Sequence, residues 1–265
     1  MVTAMSNRSV ALVTGASAGI GRELALILAR EGHDLVLVAR REPELTALAA
    51  ELKETYGADG RVVTADLAKA GAATGILEEL GPDAVIDVLV NNAGFGGHGA
   101  FHERSADDDL RMLAVNVTAL TDLTKRVLPG MVSRRRGRIL NVASTAAFQP
   151  GPFMAVYYAS KAYVLSLSEA LAEELRGTGV TVTCLCPGVT KTEFQQVAGV
   201  EDLTLNVWPL AMSAQAVAEA AYAGMTKGKR LVVPGVHNKI GAQSVRMSPR
   251  GAVLRIVRRL HNSAH

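Results

Sequence analysis

Apolar positions along this chain fall into two alternating arrangements. One is a short continuous run, as in Ser9-Val10-Ala11-Leu12-Val13-Thr14, which leads into glycines. The other is helical recurrence, as over residues 20–31, where apolar residues return every three or four positions until Gly32 ends the pattern. Continuous runs of this length suit strands buried on both faces, the condition of a parallel sheet between two layers of helices. Further strands are predicted at 34–39, 61–65, 87–91, 138–144, 180–185 and 231–233. Helices are predicted at 42–56, up to residue 80, over 107–133 with a bend near Pro129, over 157–176 and over 214–225. Repeated strand–helix–strand units predict an α/β fold, a doubly wound parallel sheet of about seven strands with helices on both faces. No repeat, low-complexity tract or linker divides the chain, so residues 1–265 are expected to form a single domain.

Composition narrows this picture. Of the 265 residues, 49% are hydrophobic and only 4% aromatic, which suits helices packed closely on a sheet through Ala, Val, Leu and Gly. No apolar run is long enough to cross a bilayer, and residues 7–9 lead straight into a strand without a leader pattern, so a cytoplasmic location is expected. Cys184 and Cys186 are two apart in one strand; free buried thiols are expected, and no metal site. The formal charge of +3 is unevenly spread. From residue 221 onward there are nine Lys or Arg and no Asp or Glu, leaving nineteen basic against twenty-five acidic residues before it. That acidic balance argues against nucleic acid as a partner.

The first strand runs into Thr14-Gly15-Ala16-Ser17-Ala18-Gly19-Ile20-Gly21 and then a helix. Glycines at a strand–helix junction permit a tight turn and close approach of backbone amides to a pyrophosphate, so this is a candidate dinucleotide site in a Rossmann-type sheet. An acidic residue at the end of the second strand would bind the ribose hydroxyls of NAD; this strand ends Val38-Ala39-Arg40-Arg41. Two guanidiniums and no carboxylate point to the phosphate of NADP. Asp66 follows the third strand, positioned for the adenine amino group, and Asn91-Asn92-Ala93-Gly94 ends the fourth with small residues that let a cofactor lie close.

Tyr157 and Lys161 are four apart at the start of a helix and so share a face. A cation beside a phenol favours the phenolate, so a lowered Tyr157 pKa is expected. Ser144, at the end of the fifth strand, could bring a hydroxyl to the same point. Together these residues resemble the short-chain dehydrogenase/reductase family over about residues 8–194. The likeness rests on the 14–21 turn, Asp66-Leu67, Asn91 to Gly94, Asn116, Ser144 thirteen residues before Tyr157, Lys161, and Pro187-Gly188 followed by Thr192. The resemblance implies an NADP-dependent oxidoreductase in which NADPH delivers hydride to a carbonyl carbon and Tyr157 exchanges the proton. It further implies that Lys161 biases Tyr157 and holds the nicotinamide ribose, that Ser144 donates to the developing alkoxide, and that Asn116 binds a water linking Lys161 to solvent. Gly15, Ser17, Gly19, Ile20, Gly21, Arg40, Arg41, Asp66, Leu67, Asn92, Ala93 and Gly94 are then the cofactor contacts of the first half. In the second half these are Tyr157, Lys161, Pro187, Gly188, Val189 and Thr192.

The substrate end is less specified. Residues 94–101 and 187–194 are expected to line a pocket, with Phe148, Phe153 and Met154 as its other wall. A segment at about 190–215, with Val197, Val200, Leu203, Leu205, Val207, Trp208, Leu210 and Met212, is expected to form an apolar lid or to pack in the core. A small apolar ketone, aldehyde or secondary alcohol is the expected substrate. 3-Oxoacyl thioester reduction and hydroxysteroid-like oxidoreduction both remain open, and a non-catalytic NADP-binding regulator is the rival. His98 is expected at the surface. The basic tail, about 236–265, contains a helix pattern over 251–260. It is expected to pack within the protein or in a homodimer or homotetramer, with peripheral membrane contact as the less favoured reading.

Overall fold

In the computed structural model, which describes residues 8–200 and 210–262, the predicted alternation becomes a seven-stranded parallel sheet. The strands are β1 (Ser9–Thr14), β2 (His33–Ala39), β3 (Gly60–Thr64), β4 (Val88–Asn91), β5 (Gly137–Val142) and β6 (Val180–Leu185). A separate two-stranded pair, β7 (Thr190–Lys191) with β8 (Met212–Ser213), follows, and β9 (Leu231–Val232) completes the main sheet in the order β3-β2-β1-β4-β5-β6-β9. The order reverses between β1 and β4, so the chain winds outward in both directions from that point and leaves a crevice at the C-terminal ends of the strands.

The period-2 alternation of each strand divides its apolar residues between two cores. Ala11 and Val13 of β1 and Leu35 and Leu37 of β2 pack under α1 (Gly19–Arg30) through Leu24 and Leu28, and under α2 (Glu42–Tyr56) through Leu45, Leu48 and Leu52. Val10, Leu12, Val36, Val38, Leu89 and Ile139 point the other way. There they meet Ile76 of α3 (Ala72–Leu80) and Leu123, Val127 and Met131 of α5 (Leu120–Ser133). The predicted helix over 107–133 is in fact interrupted. α4 (Ala106–Leu113) passes through a π-helical turn at Ala114–Ala119 into α5, which then runs through Pro129 to Ser133. The break sits where Asn116 is, and not at the proline expected to cause it.

α6 (Ala155–Glu174) carries Tyr157 and Lys161. A buried polar chain ties it to the sheet: Asn141 Nδ2 donates to Ser168 Oγ at 2.9 Å, and Asn91 Nδ2 donates to Asn141 Oδ1 at 2.9 Å and to Thr124 Oγ1 at 3.0 Å. α7 (Phe194–Ala198) and α8 (Ala214–Thr226) follow. The tail forms α9 (Val236–Met247) and α10 (Arg250–Asn262). The 251–260 pattern thus belongs to a slightly longer helix, while α9 has no counterpart among the predicted elements. None of its residues is buried, so it shows no core-facing apolar repeat. Leu203, Leu205, Val207 and Trp208 of the expected lid lie outside the described residues. Among the described residues no helix is long and apolar enough to cross a membrane, and no cluster of His, Cys, Asp or Glu could hold a metal.

Candidate active site

A cavity of about 680 Å³ occupies the crevice and extends from the glycine turn to α6 and the tail. At one end, β1 turns sharply into α1 with Gly15 at φ +66° and Gly19 at φ +54°, conformations that disfavour any side chain. Ala18 precedes α1 with no side-chain cap, leaving the helix's first amides available to an anion. A β-carbon at Gly21 would strike the Gly15 carbonyl and the Asn92 amide, so that glycine closes the turn and does not itself line the cavity. Asn92 Nδ2 donates to the Thr14 and Gly15 carbonyls at 2.9 and 3.1 Å, locking the turn to the end of β4. Glycine conformations, uncapped amides and cavity size all suit a dinucleotide.

Gly15, Ser17, Gly19, Ile20, Arg40, Arg41, Asp66, Leu67, Asn92, Ala93, Gly94, Pro187, Gly188, Val189 and Thr192 all line this cavity, as do Ser144, Tyr157 and Lys161. Arg41 reaches Ser17 Oγ at 3.2 Å but is shared with Glu193 at 3.1 Å and Glu44 at 3.5 Å. Arg40 is exposed at the cavity edge and has no carboxylate partner among the described residues. Asp66 accepts from the Ala68 amide and from Arg111, a cavity residue that the sequence reading missed because it arrives from α4. Thr192 accepts from the Phe194 amide at 3.3 Å, a helix-capping contact, and its methyl group faces Gly19 across the cavity.

At the other end, Ser144 leaves β5 extended and caps a short 3-10 turn (Thr145–Phe148) by accepting from Ala146 N at 3.1 Å. Its side chain lies near enough to the Tyr157 hydroxyl to favour that phenol's ionised form. Lys161 Nζ donates to the Val142 carbonyl at 2.9 Å and stands 5.8 Å from the centre of the Tyr157 ring. Tyr157 and Lys161 are 7% and 5% exposed. The expected lowering of the phenol's pKa is therefore wrong for this arrangement. Burial pushes Tyr157 well above its usual value, and the nearby Ser144 side chain only partly opposes it. The same burial lowers Lys161 to about 8.

Asn116 lies on the π-helical turn, 1% exposed and outside the cavity lining. Its Nδ2 donates to Phe95 O and Ser160 Oγ, both at 3.0 Å, and its Oδ1 accepts from Phe95 N at 3.1 Å. Its neighbours thus satisfy the amide. Only the missing side chain of Gly94 separates it from Lys161: a β-carbon there would lie 2.9 Å from Asn116 Oδ1 and 3.2 Å from Lys161 Nζ.

The surroundings of Tyr157 are apolar: Phe95, Met112, Ala146, Met154, Phe194, Ala198 and Val200, with the Phe194 ring 5.3 Å from that of Tyr157. Met154 and Phe194 belong to the expected walls, whereas Phe148 and Phe153 do not line the cavity. Tyr158 is held away from the reacting point. Its hydroxyl donates to His261 Nε2 at 3.1 Å, since His261 Nδ1 is occupied as a donor to Pro152 O at 2.7 Å. His98 Nε2 donates to the His261 carbonyl at 3.1 Å, so His98 is half-buried and anchors the tail, contrary to the surface position expected. His261 and Gln149, both cavity residues, had no signal in the sequence; His261 lies 103 positions beyond the tyrosine it meets. Cys184 and Cys186 are buried free thiols with sulfurs 3.8 Å apart.

A sequence model of the short chain dehydrogenase family matches residues 9–202. Among solved structures, a short-chain dehydrogenase from Sphingobium yanoikuyae in complex with NADPH is 35% identical, with a TM-score of 0.82 over 92% of this chain and 94% of that one. A short-chain dehydrogenase/reductase from Burkholderia phymatum in complex with NAD is 27% identical, with a TM-score of 0.79 over 90% and 92%. A very-long-chain 3-oxoacyl-CoA reductase from Laccaria bicolor is 41% identical over 65% of this chain and 52% of its own length.

Proposed function

This chain belongs to the short-chain dehydrogenase family, and on that premise we propose that it is an NADP(H)-dependent reductase of apolar ketones or aldehydes, with Tyr157 as proton donor. The observation that carries the reading is one continuous cavity with a glycine turn and Arg40, without a carboxylate partner among the described residues, at one end, and Ser144, Tyr157 and Lys161 together in apolar surroundings at the other. A bound NADPH would supply the hydride. The residues proposed to hold it are Gly15, Ser17, Gly19 and Ile20 of the turn with Asp66, Leu67, Asn92, Ala93 and Gly94, and Pro187, Gly188, Val189 and Thr192 on the facing side. Arg40 is the guanidinium best suited to the 2′-phosphate, because Arg41 is already shared by two carboxylates.

Tyr157, kept protonated by burial, gives its proton to the substrate oxygen as that oxygen becomes negative. Ser144 donates a hydrogen bond to the same oxygen, stabilising charge that exists only in the transition state. Lys161 stabilises the tyrosinate left behind and holds the cofactor's ribose. Asn116 acts as a positioning residue, fixing Phe95 and Ser160 beside the site. The apolar lining from Phe95 to Val200 selects substrates without charge near the carbonyl. A 3-oxoacyl thioester is the second reading, supported by the similarity to the Laccaria bicolor reductase.

The test is NADPH and NADH consumption across aliphatic, aryl and steroidal ketones and 3-oxoacyl thioesters. Turnover of apolar ketones with NADPH is expected. Arg40→Ala with Arg41→Ala should weaken NADPH about tenfold or more and leave NADH nearly unchanged. Equal losses for the two cofactors would overturn the NADP assignment.

A further inference from the structure

The two tail helices carry a surface unlike the rest of the chain. α9 has no buried residue. At about 100° per residue, Val236, Ile240 and Met247 fall on one narrow stripe of this helix. They are 71%, 64% and 84% exposed. Lys239 and Arg246 occupy adjoining positions along one side of that stripe, and both are exposed. The opposite side, with Asn238, Gly241 and Val245, faces a second, smaller cavity shared with Val253 and Val257 of α10. α10 contributes mainly charge, its apolar residues Val253, Ile256 and Val257 all bordering that cavity. Val253 and Val257 are buried inward, Ile256 remains 58% exposed, and Arg255 and Arg258 stand in solvent.

The charge around this surface is of one sign. Residues 221–265 carry nine Lys or Arg and no Asp or Glu. Lys239, Arg246, Arg250, Arg255 and Arg258 have no carboxylate partner among the described residues. Arginines elsewhere are commonly paired, as in Arg30 with Glu219 or Arg104 with Asp109.

An exposed apolar stripe and unneutralised cations together restrict what can cover the surface. A second copy docking on this face about a two-fold axis would set the cations of α9 and α10 against their own counterparts. A polyanion such as nucleic acid would answer the charge and leave Val236, Ile240 and Met247 in water. The headgroup layer of an anionic bilayer answers both features: apolar side chains enter the acyl boundary, and flanking Lys and Arg meet phosphates. We infer that the outer face of α9 and α10 docks this protein on anionic membrane surfaces. The inference does not depend on the proposed reaction, since docking needs no turnover.

The experiment is sedimentation of the full-length protein with phosphatidylcholine vesicles, plain or with about one-third phosphatidylserine. Binding to the phosphatidylserine vesicles, little binding to plain vesicles, and release by high salt are expected. Ile240→Glu with Met247→Glu should lower binding about tenfold or more, as should Lys239→Glu with Arg246→Glu. All four positions are exposed, so an unchanged thermal unfolding curve for each variant is expected and separates lost docking from lost folding. Equal binding to both vesicle types, or none to either, overturns the inference. Binding that falls with salt but survives Ile240→Glu with Met247→Glu also overturns it, because it would be attraction to any polyanion. A mass by light scattering that halves in Ile240→Glu with Met247→Glu would make the occupant a second copy, which equally overturns it.

Discussion

At the residue scale, Tyr157 and Lys161 show how one environment acts oppositely on an acid and a base. Burial disfavours both charged forms, so the phenol rises and the ammonium falls to about 8. In the unfolded chain Lys161 keeps its proton up to about 10.5. The unfolded state therefore binds more protons than the folded state between about pH 8 and 10.5, and stability attributable to this lysine rises with pH across that window. Below about pH 8 the full cost remains, of order 3 kcal/mol. Lys161→Met should accordingly unfold at a higher temperature than the wild type at pH 7, with the gap closing by pH 10. Thermal unfolding at the two pH values checks this; a Met variant less stable at both would show that the Val142 hydrogen bond outweighs desolvation. The spacing of Tyr157 and Lys161 was legible in the sequence because i and i+4 share a helical face wherever the helix lies. The burial of Tyr157 was not, because it is made by Met112, Phe194 and Val200 arriving from other elements.

At the element scale, the strands were legible because double burial makes each a continuous apolar run, and β1 to β6 lie within a few residues of the predicted bounds. The π-helical turn at Ala114–Ala119 left no such mark. It keeps the apolar spacing of a helix, and only its hydrogen bonds reveal it. α9 was invisible for the opposite reason, having no face turned to the core. The polar chain from Asn91 through Asn141 to Ser168 joins β4, β5 and α6, the elements whose ends bear Gly94, Ser144 and Tyr157. Asn141→Ala would leave Asn91 and Ser168 each short of a buried partner, a loss of about 2–3 kcal/mol. A lower urea midpoint with an unchanged slope is expected; an unchanged midpoint would mean that the chain contributes nothing to stability.

At the scale of the whole molecule, the switch in strand order between β1 and β4 converges residues from both halves of the sequence on one crevice. The glycine turn and its strand-end arginines were legible because they form one contiguous stretch. Arg111, Gln149 and His261 were not, since each reaches the cavity through packing that no local pattern records. The central claim is that this cavity performs hydride transfer with Tyr157 as its proton donor. The most direct measurement compares wild type with Tyr157→Phe, following NADPH consumption with the best ketone of the panel and NADPH binding on the same samples. The account predicts a rate loss of about a hundredfold or more, with the cofactor still bound. Equal rates for the two proteins, or NADPH binding by wild type without turnover of any ketone, would contradict it.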